Sequence, residues 1–150
     1  NSTSDTSSAV HRVLESMSIW FYTSNLYICK FDPLNGDHML FSWDNQYASL
    51  MDLPANNTPY IETMNLYKKA LGKQNIYCTE EHKMQNFELW RKMQQRKVMS
   101  LMIARMTVCK KPVGMLIAES HTHACWSKER QFAFSQISNL LGLFLIKCQR

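Results

Sequence analysis

The stretch VMSLMIARMTVCKKPVGMLIAES, residues 98–120, holds the clearest strand signals in the chain. Its two apolar runs, 98–108 and 112–120, are separated only by the break around Cys109-Lys-Lys-Pro112. A break that short fits a tight turn, so the two runs pair as an antiparallel hairpin. Side chains alternate across a strand, and each run therefore offers one set of residues to each sheet face.

Toward the C-terminus, Ser127 with Glu129 and Arg130 opens a helix whose stripe of Phe134, Ile137, Leu141, Phe144 and Leu145 runs nearly to the end. Toward the N-terminus, Phe87, Leu89, Trp90 and Met93 mark a helix ending near Arg96, and QNIYCT (74–79) reads as a short strand. IETMNLYKKAL (61–71) has helical spacing at Ile61, Met64, Leu66, Tyr67 and Leu71, with Gly72 where a helix would end. Residues 44–60 read as loop, because Pro54, Asn56, Asn57 and Pro59 fall together. NLYICKF (25–31) and HMLFSW (38–43) flank the turn residues DPLNGD and form a second hairpin. Residues 1–8 are expected to be a flexible lead; Ser7 or Ser8 then caps a helix through Val10, Val13, Leu14 and Met17. The order helix, hairpin, helix, strand, helix, hairpin, helix predicts one α+β domain over 9–150, with helices on one face of an antiparallel sheet.

Bulk composition narrows the function. At 150 residues and 45% hydrophobic, the chain suits a single domain with a substantial core. No apolar run approaches the roughly 20 residues of a membrane span, and NSTSDTSS is not a signal peptide. The sequons at Asn1 and Asn56 therefore gain no support, and the start at Asn1 rather than Met suggests a piece of a longer protein. Cys29, Cys78, Cys109, Cys125 and Cys148 contain no CxxC pair, which fits a reduced, cytoplasmic setting rather than a disulfide framework or zinc ribbon. The net charge of +5 gathers in Lys83, Arg91, Lys92, Arg96, Lys97, Arg105, Lys110 and Lys111. Such a cluster could attract phosphate backbones; one solvated helix face and a turn is the preferred reading.

Over nearly its whole length, and most clearly from 95 to 147, the chain resembles a GAF domain, a sensory module of bacterial signalling proteins, phytochromes and cyclic-nucleotide phosphodiesterases. The resemblance rests on Val98-Met-Ser100, the CKKP turn, Val113-Gly-Met-Leu-Ile117, Trp126 and Ser127-Lys-Glu129, in that order. It implies a GAF-like or PAS-like central antiparallel sheet, with the terminal helices on one face and a ligand pocket on the other. In that register Leu101, Ile103, Ile117 and Glu119 look into the pocket, while Ser100, Met102 and Ala118 face the terminal helices. Trp43, Tyr47, Tyr77, Phe87 and Trp90 lie on segments that wall and roof the pocket, where they would either stack on a ligand or build core. Glu119 stands out, because a carboxylate among apolar neighbours needs a partner. A cationic or amine-bearing ligand, Arg105 or a basic side chain of the roof would serve; a half-exposed strand-end glutamate is the bland alternative.

Specialised chemistries of the resembled family lack their residues. The bilin-holding Cys-His pair falls at Glu88-Leu89, so no covalent bilin is expected, and the NKxnFDE motif of phosphodiesterases is absent. The methionine-sulfoxide reductases on this fold need cysteines before the 98–108 strand; only Cys78 is near, with no evident partner for disulfide exchange. His121, His123 and Cys125 in HTHACW offer three metal ligands but no recognisable fourth, so no metal is expected and the stretch reads as a loop. Trp126 is expected to tuck against the sheet. No nucleophile elbow, Walker-A loop or HExxH occurs, which argues against an enzyme.

These features predict a non-enzymatic, cytoplasmic domain that senses a small molecule and signals to a separate output domain. A diguanylate cyclase, sensor histidine kinase or transcription regulator is the output that the resemblance implies. Homodimerisation through the terminal helices is expected at Val13, Ile137, Leu141, Phe144 and Leu145. A ligand-free dimerisation scaffold is the main rival, ahead of a nucleic-acid-binding domain or a redox or metal sensor through Cys78, Cys125 and the histidines.

Overall fold

The computed structural model describes residues 2–44, 58–79, 86–122 and 125–149, without the side chains of 2–4, 58–61 and 146–149. The elements are α1 (Ser2–Trp20), β1 (Asn25–Lys30), β2 (His38–Asp44), α2 (Thr58–Leu71), β3 (Ile76–Cys78), α3 (Phe87–Arg96), β4 (Ser100–Val108), β5 (Lys111–Ser120) and α4 (Lys128–Gln149). They form an α+β fold around a five-stranded antiparallel sheet in the order β2-β1-β5-β4-β3.

The 98–120 stretch folds as its sequence asks. β4 and β5 pair from Ser100 opposite Ser120 to Val108 opposite Lys111, turning through Cys109 and Lys110 alone. β5 is also the central strand, because β1 pairs along its other edge from Asn25 opposite Glu119 to Lys30 opposite Gly114. That second pairing is close. A Cβ on Gly114 would lie 2.3 Å from the Cys29 carbonyl oxygen, so glycine is required there.

The two sheet faces build two cores. Leu26, Ile28, Met102, Ala104, Met106, Leu116 and Ala118 point to α1 and α4 and pack with Val10, Leu14, Met17, Phe134, Leu141 and Leu145. Phe21 and Phe134 meet edge to face at 5.3 Å, both fully buried, and truncating a phenylalanine so placed costs about 3–5 kcal/mol. Trp126 is buried in this layer and donates its indole N–H to the Phe21 carbonyl at 2.6 Å. It thereby fixes the entry to α4, whose first turn Ser127 caps by accepting from the Arg130 N–H at 3.1 Å. On the opposite face Tyr27, Cys29, Leu101, Ile103, Met115 and Ile117 pack against α2 and α3.

Two boundaries differ from the sequence reading. The lead expected at 1–8 is helical from Ser2 onward; residues 1–20 hold no glycine or proline to stop it, and Asp5 lies in the first turn, where a negative charge suits the helix dipole. The loop expected over 44–60 gives way to α2 at Thr58, since Pro59 is tolerated where first-turn N–H groups have no intrahelical partner. The rest of that segment, 45–57, lies outside the described residues.

Candidate functional site

The layer between the sheet and α2/α3 is where the sequence places a pocket. α2 turns Met64, Tyr67 and Leu71 inward at helical spacing, and α3 turns Leu89 and Met93 inward. Asn86 starts α3 by accepting from the Leu89 N–H at 3.2 Å, and Lys97 ends it in the left-handed conformation at φ 58°. Arg96, seven residues after Leu89, continues the inward stripe at the end of the helix.

Glu119 meets it there. The carboxylate is 0% exposed and its Oε1 accepts from Arg96 Nη2 at 2.6 Å and from Asn25 Nδ2 at 3.0 Å. Its Oε2 accepts from the Tyr67 hydroxyl at 2.5 Å. Asn25 sits directly across the sheet from Glu119 on β1, and Leu101 flanks it on β4. A carboxylate costs several kcal/mol to bury bare, about the amount that a cation and two hydrogen bonds can offset. Burial pushes the Tyr67 hydroxyl well above its usual range, and Glu119 pushes the same way, so Tyr67 stays a donor. Burial alone would lower the Arg96 pKa, but Glu119, then Tyr67 and Tyr27, reverse that and raise it. Arg96 is a fixed cation.

The sequence-derived residues distribute unevenly around this cluster. Leu101, Ile103 and Ile117 lie on the Glu119 side of the sheet, and Tyr77, opposite Ile103, packs half-buried at its edge. Trp43 does not: it pairs with Leu26 and packs against the layer of α1 and α4. Phe87 and Trp90 lie on the outer face of α3, 61% and 43% exposed, with their rings stacked at 5.9 Å. Phe87 borders a groove of about 560 Å³ between α2 and α3, lined also by Glu62, Leu66, Lys69, Arg91 and Lys92. That groove is separate from Glu119. Tyr47 lies outside the described residues.

Arg105, offered by the sequence as a partner for Glu119, instead donates to the Gly72 carbonyl and ties down the end of α2. Arg96 is a basic side chain of the roof, the partner the sequence allowed for Glu119 without numbering it, whereas nothing in the sequence singles out Tyr67 or Asn25. Helical spacing puts Tyr67 among the apolar positions of its helix without marking its hydroxyl, and Arg96 falls in a basic cluster that the structure divides. Lys92 pairs with Glu62 at 3.4 Å, Lys110 and Lys111 lie at the β4–β5 turn, and Lys83 lies outside the described residues.

In HTHACW, His121 places its Nδ1 2.6 Å from the Lys97 carbonyl and its backbone N–H donates to Ser24 Oγ at 3.0 Å. Cys125 is exposed, and His123 lies outside the described residues. Among the described residues, no three His, Cys, Asp or Glu side chains gather as metal ligands. Nor is any described helix long and apolar enough to cross a membrane.

Of the terminal-helix residues, Leu141 and Leu145 are buried against the chain's own sheet and Ile137 packs partly against it, whereas Val13 and Phe144 remain exposed. Phe132, Leu140 and Leu143 are exposed on the same helix as Phe144.

The fold is that of GAF domains. The photoproduct state of GAF3 from Slr1393 of Synechocystis sp. PCC6803 superposes with a TM-score of 0.68 at 15% identity, over 95% of this chain and 94% of that one. The phycocyanobilin-bound GAF domain of a cyanobacterial phytochrome gives 0.69 at 14% identity, over 88% and 79%. The blue-light-absorbing form of the Thermosynechococcus elongatus PixJ GAF domain gives 0.65 at 15%, over 94% and 85%. No protein-family model and no curated protein matches the chain.

Proposed function

We propose that this chain is a non-enzymatic, small-molecule-sensing regulatory domain of a larger cytoplasmic signalling protein, such as a diguanylate cyclase, sensor histidine kinase or transcription regulator. One observation carries the reading: within a GAF fold, the sheet face opposite the terminal helices holds a fully buried carboxylate ringed by polar donors. A few convergent polar groups in an apolar layer are what small-ligand sites are made of. The solved GAF structures include one with phycocyanobilin bound, which supports a ligand on this fold. A covalent bilin is not proposed, since Glu88 and Leu89 stand where the thiol and its neighbour would fall.

Signalling follows from the two-sided sheet. Neighbours along β5 face opposite layers, so Glu119 borders α2 and α3 while Ala118 borders α1 and α4. A ligand that favours one arrangement of the first layer shifts the population of the second by its differential affinity. α1 and α4 carry that shift outward, as a two-fold dimer paired through the exposed side of α4.

A ligand-free scaffold is the second reading, favoured by the way Tyr67, Leu89 and Met93 fill the layer. A thermal-shift panel of amines, amino acids, organic acids, nucleotides and bilins separates the two. The sensory reading expects one class to raise Tm by roughly 3 °C or more, the effect of about 1 kcal/mol of binding, and to change hydrogen exchange in α1 and α4. Silence across the panel from a stable dimer would replace it with the scaffold.

A further inference from the structure

Glu119 and Asn25 form an acceptor pair that Arg96 satisfies only in part. Both are 0% exposed. The Asn25 amide is oriented by its neighbour, because turning it over would set its oxygen against the Glu119 carboxylate. In the orientation it must take, Asn25 Oδ1 is buried with no hydrogen-bond partner among the described residues. A buried acceptor left so is unfavourable, because nothing replaces the water it gave up.

Arg96 has the complementary shortfall. A guanidinium carries five N–H donors, yet Arg96 pairs with Glu119 through Nη2, and its buried Nε has no partner among the described residues. Its side chain is 13% exposed, against 0% for Glu119, so it stands between the carboxylate and solvent. It reaches inward from the last turn of a ten-residue helix whose buried side chains are Leu89 and Met93.

We propose that Glu119, Asn25 and Tyr67 form a subsite for an organic cation with several N–H donors, an amidinium, guanidinium or primary ammonium, and that Arg96 occupies it as an internal stand-in. The proposal rests on the sensory reading above and names its ligand class. An incoming cation bonds Glu119 as Arg96 does and supplies the donor that Asn25 Oδ1 lacks. Arg96 then swings out to solvent, where its charge is hydrated, and α3 loses its tie to β5. An anionic ligand has no place beside a buried carboxylate, and a neutral one would leave Glu119 uncompensated once Arg96 departs.

Calorimetric titration with benzamidinium, against benzamide as a neutral control of the same shape, tests this. Wild type is expected to bind benzamidinium weakly, Arg96→Ala at least tenfold more tightly, and Arg96→Ala with Glu119→Gln not at all; benzamide should bind none of them. Arg96→Met, which keeps an apolar stem in the layer, replaces Arg96→Ala if the smaller side chain prevents folding. Equal affinity in wild type and the Arg96 variant, or binding that survives Glu119→Gln, overturns the proposal. A neutral or anionic molecule found on this face in wild type also overturns it while leaving the sensory reading intact. Amidinium binding that leaves hydrogen exchange in α1 and α4 unchanged has the opposite meaning: the subsite stands and the sensory reading falls.

Discussion

Arg96 donates through Nη2 to Glu119 Oε1 over 2.6 Å, joining positions 23 residues apart and fastening α3 to the central strand. Removing one partner of a buried pair leaves the other charge uncompensated, which costs about 3–5 kcal/mol. Arg96→Met is therefore expected to destabilise the domain by about 3 kcal/mol, near the low end because Tyr67 and Asn25 still serve the carboxylate. Adding Glu119→Gln should recover part of that loss. Urea unfolding of both singles and the double variant measures the coupling; strictly additive losses would mean that the pair does not act as one.

The β4–β5 turn is strained in a correctable way. Cys109 and Lys110 both adopt left-handed conformations, at φ 52° and 66°, as a two-residue hairpin turn of the primed type requires. Neither is glycine or asparagine, and each left-handed residue costs roughly 1 kcal/mol. Lys110→Gly should stabilise the protein by about 1 kcal/mol, read as a higher urea midpoint at unchanged slope. A lower midpoint would contradict this turn geometry.

Much of the fold was legible because the decisive signals are local. The apolar runs of 98–120 have one short break, so hairpin, pairing partner and face assignment of Leu101, Ile103 and Ile117 follow together. Trp43 was not legible. A bulge between Ile28 and Cys29 shifts the β1–β2 register, so that Met39 packs on the Glu119 side while Phe41 and Trp43 pack on the other. In α3 two apolar stripes compete, Phe87 with Trp90 and Leu89 with Met93. The second turns inward because it continues into Arg96, whose buried partner lies on a distant strand. Arg96 itself was hidden by its type, since an arginine in a basic run ordinarily reads as solvated surface.

Alkaline pH should weaken the fold. Burial first, and Asp37 after it, pushes the Cys29 thiol from its ordinary 9.0 to about 12. Between those values the unfolded chain binds fewer protons at this site than the folded one, so stability falls as pH rises. The contribution is whole below pH 9 and is lost toward about pH 12. Tyr67 and Tyr77, both raised chiefly by burial, act in the same direction above their ordinary 10.0. Urea midpoints should hold level up to about pH 9 and decline from there, with a shallower initial decline in Cys29→Ala. A midpoint that rises over this range would reverse the assignment.

α4 carries more apolar surface than one sheet needs. A helix on a single core shows about three to four apolar positions per two turns, and here Phe132, Leu140, Leu143 and Phe144 stay exposed after Phe134, Leu141 and Leu145 are buried. A two-fold dimer through this outer row is expected, with light scattering giving twice the 17.6 kDa chain mass. Phe144→Glu or Leu140→Glu should return it to the single mass. A wild-type monomer at high concentration ends the dimer proposal.

Native mass spectrometry of the freshly purified chain, before and after incubation with a soluble metabolite extract, would show directly whether Glu119 holds a small molecule. A non-covalent small molecule is expected on the 17.6 kDa chain, released by gentle activation and missing from Glu119→Gln. A bare chain under both conditions, or an adduct that Glu119→Gln retains in full, would contradict this expectation.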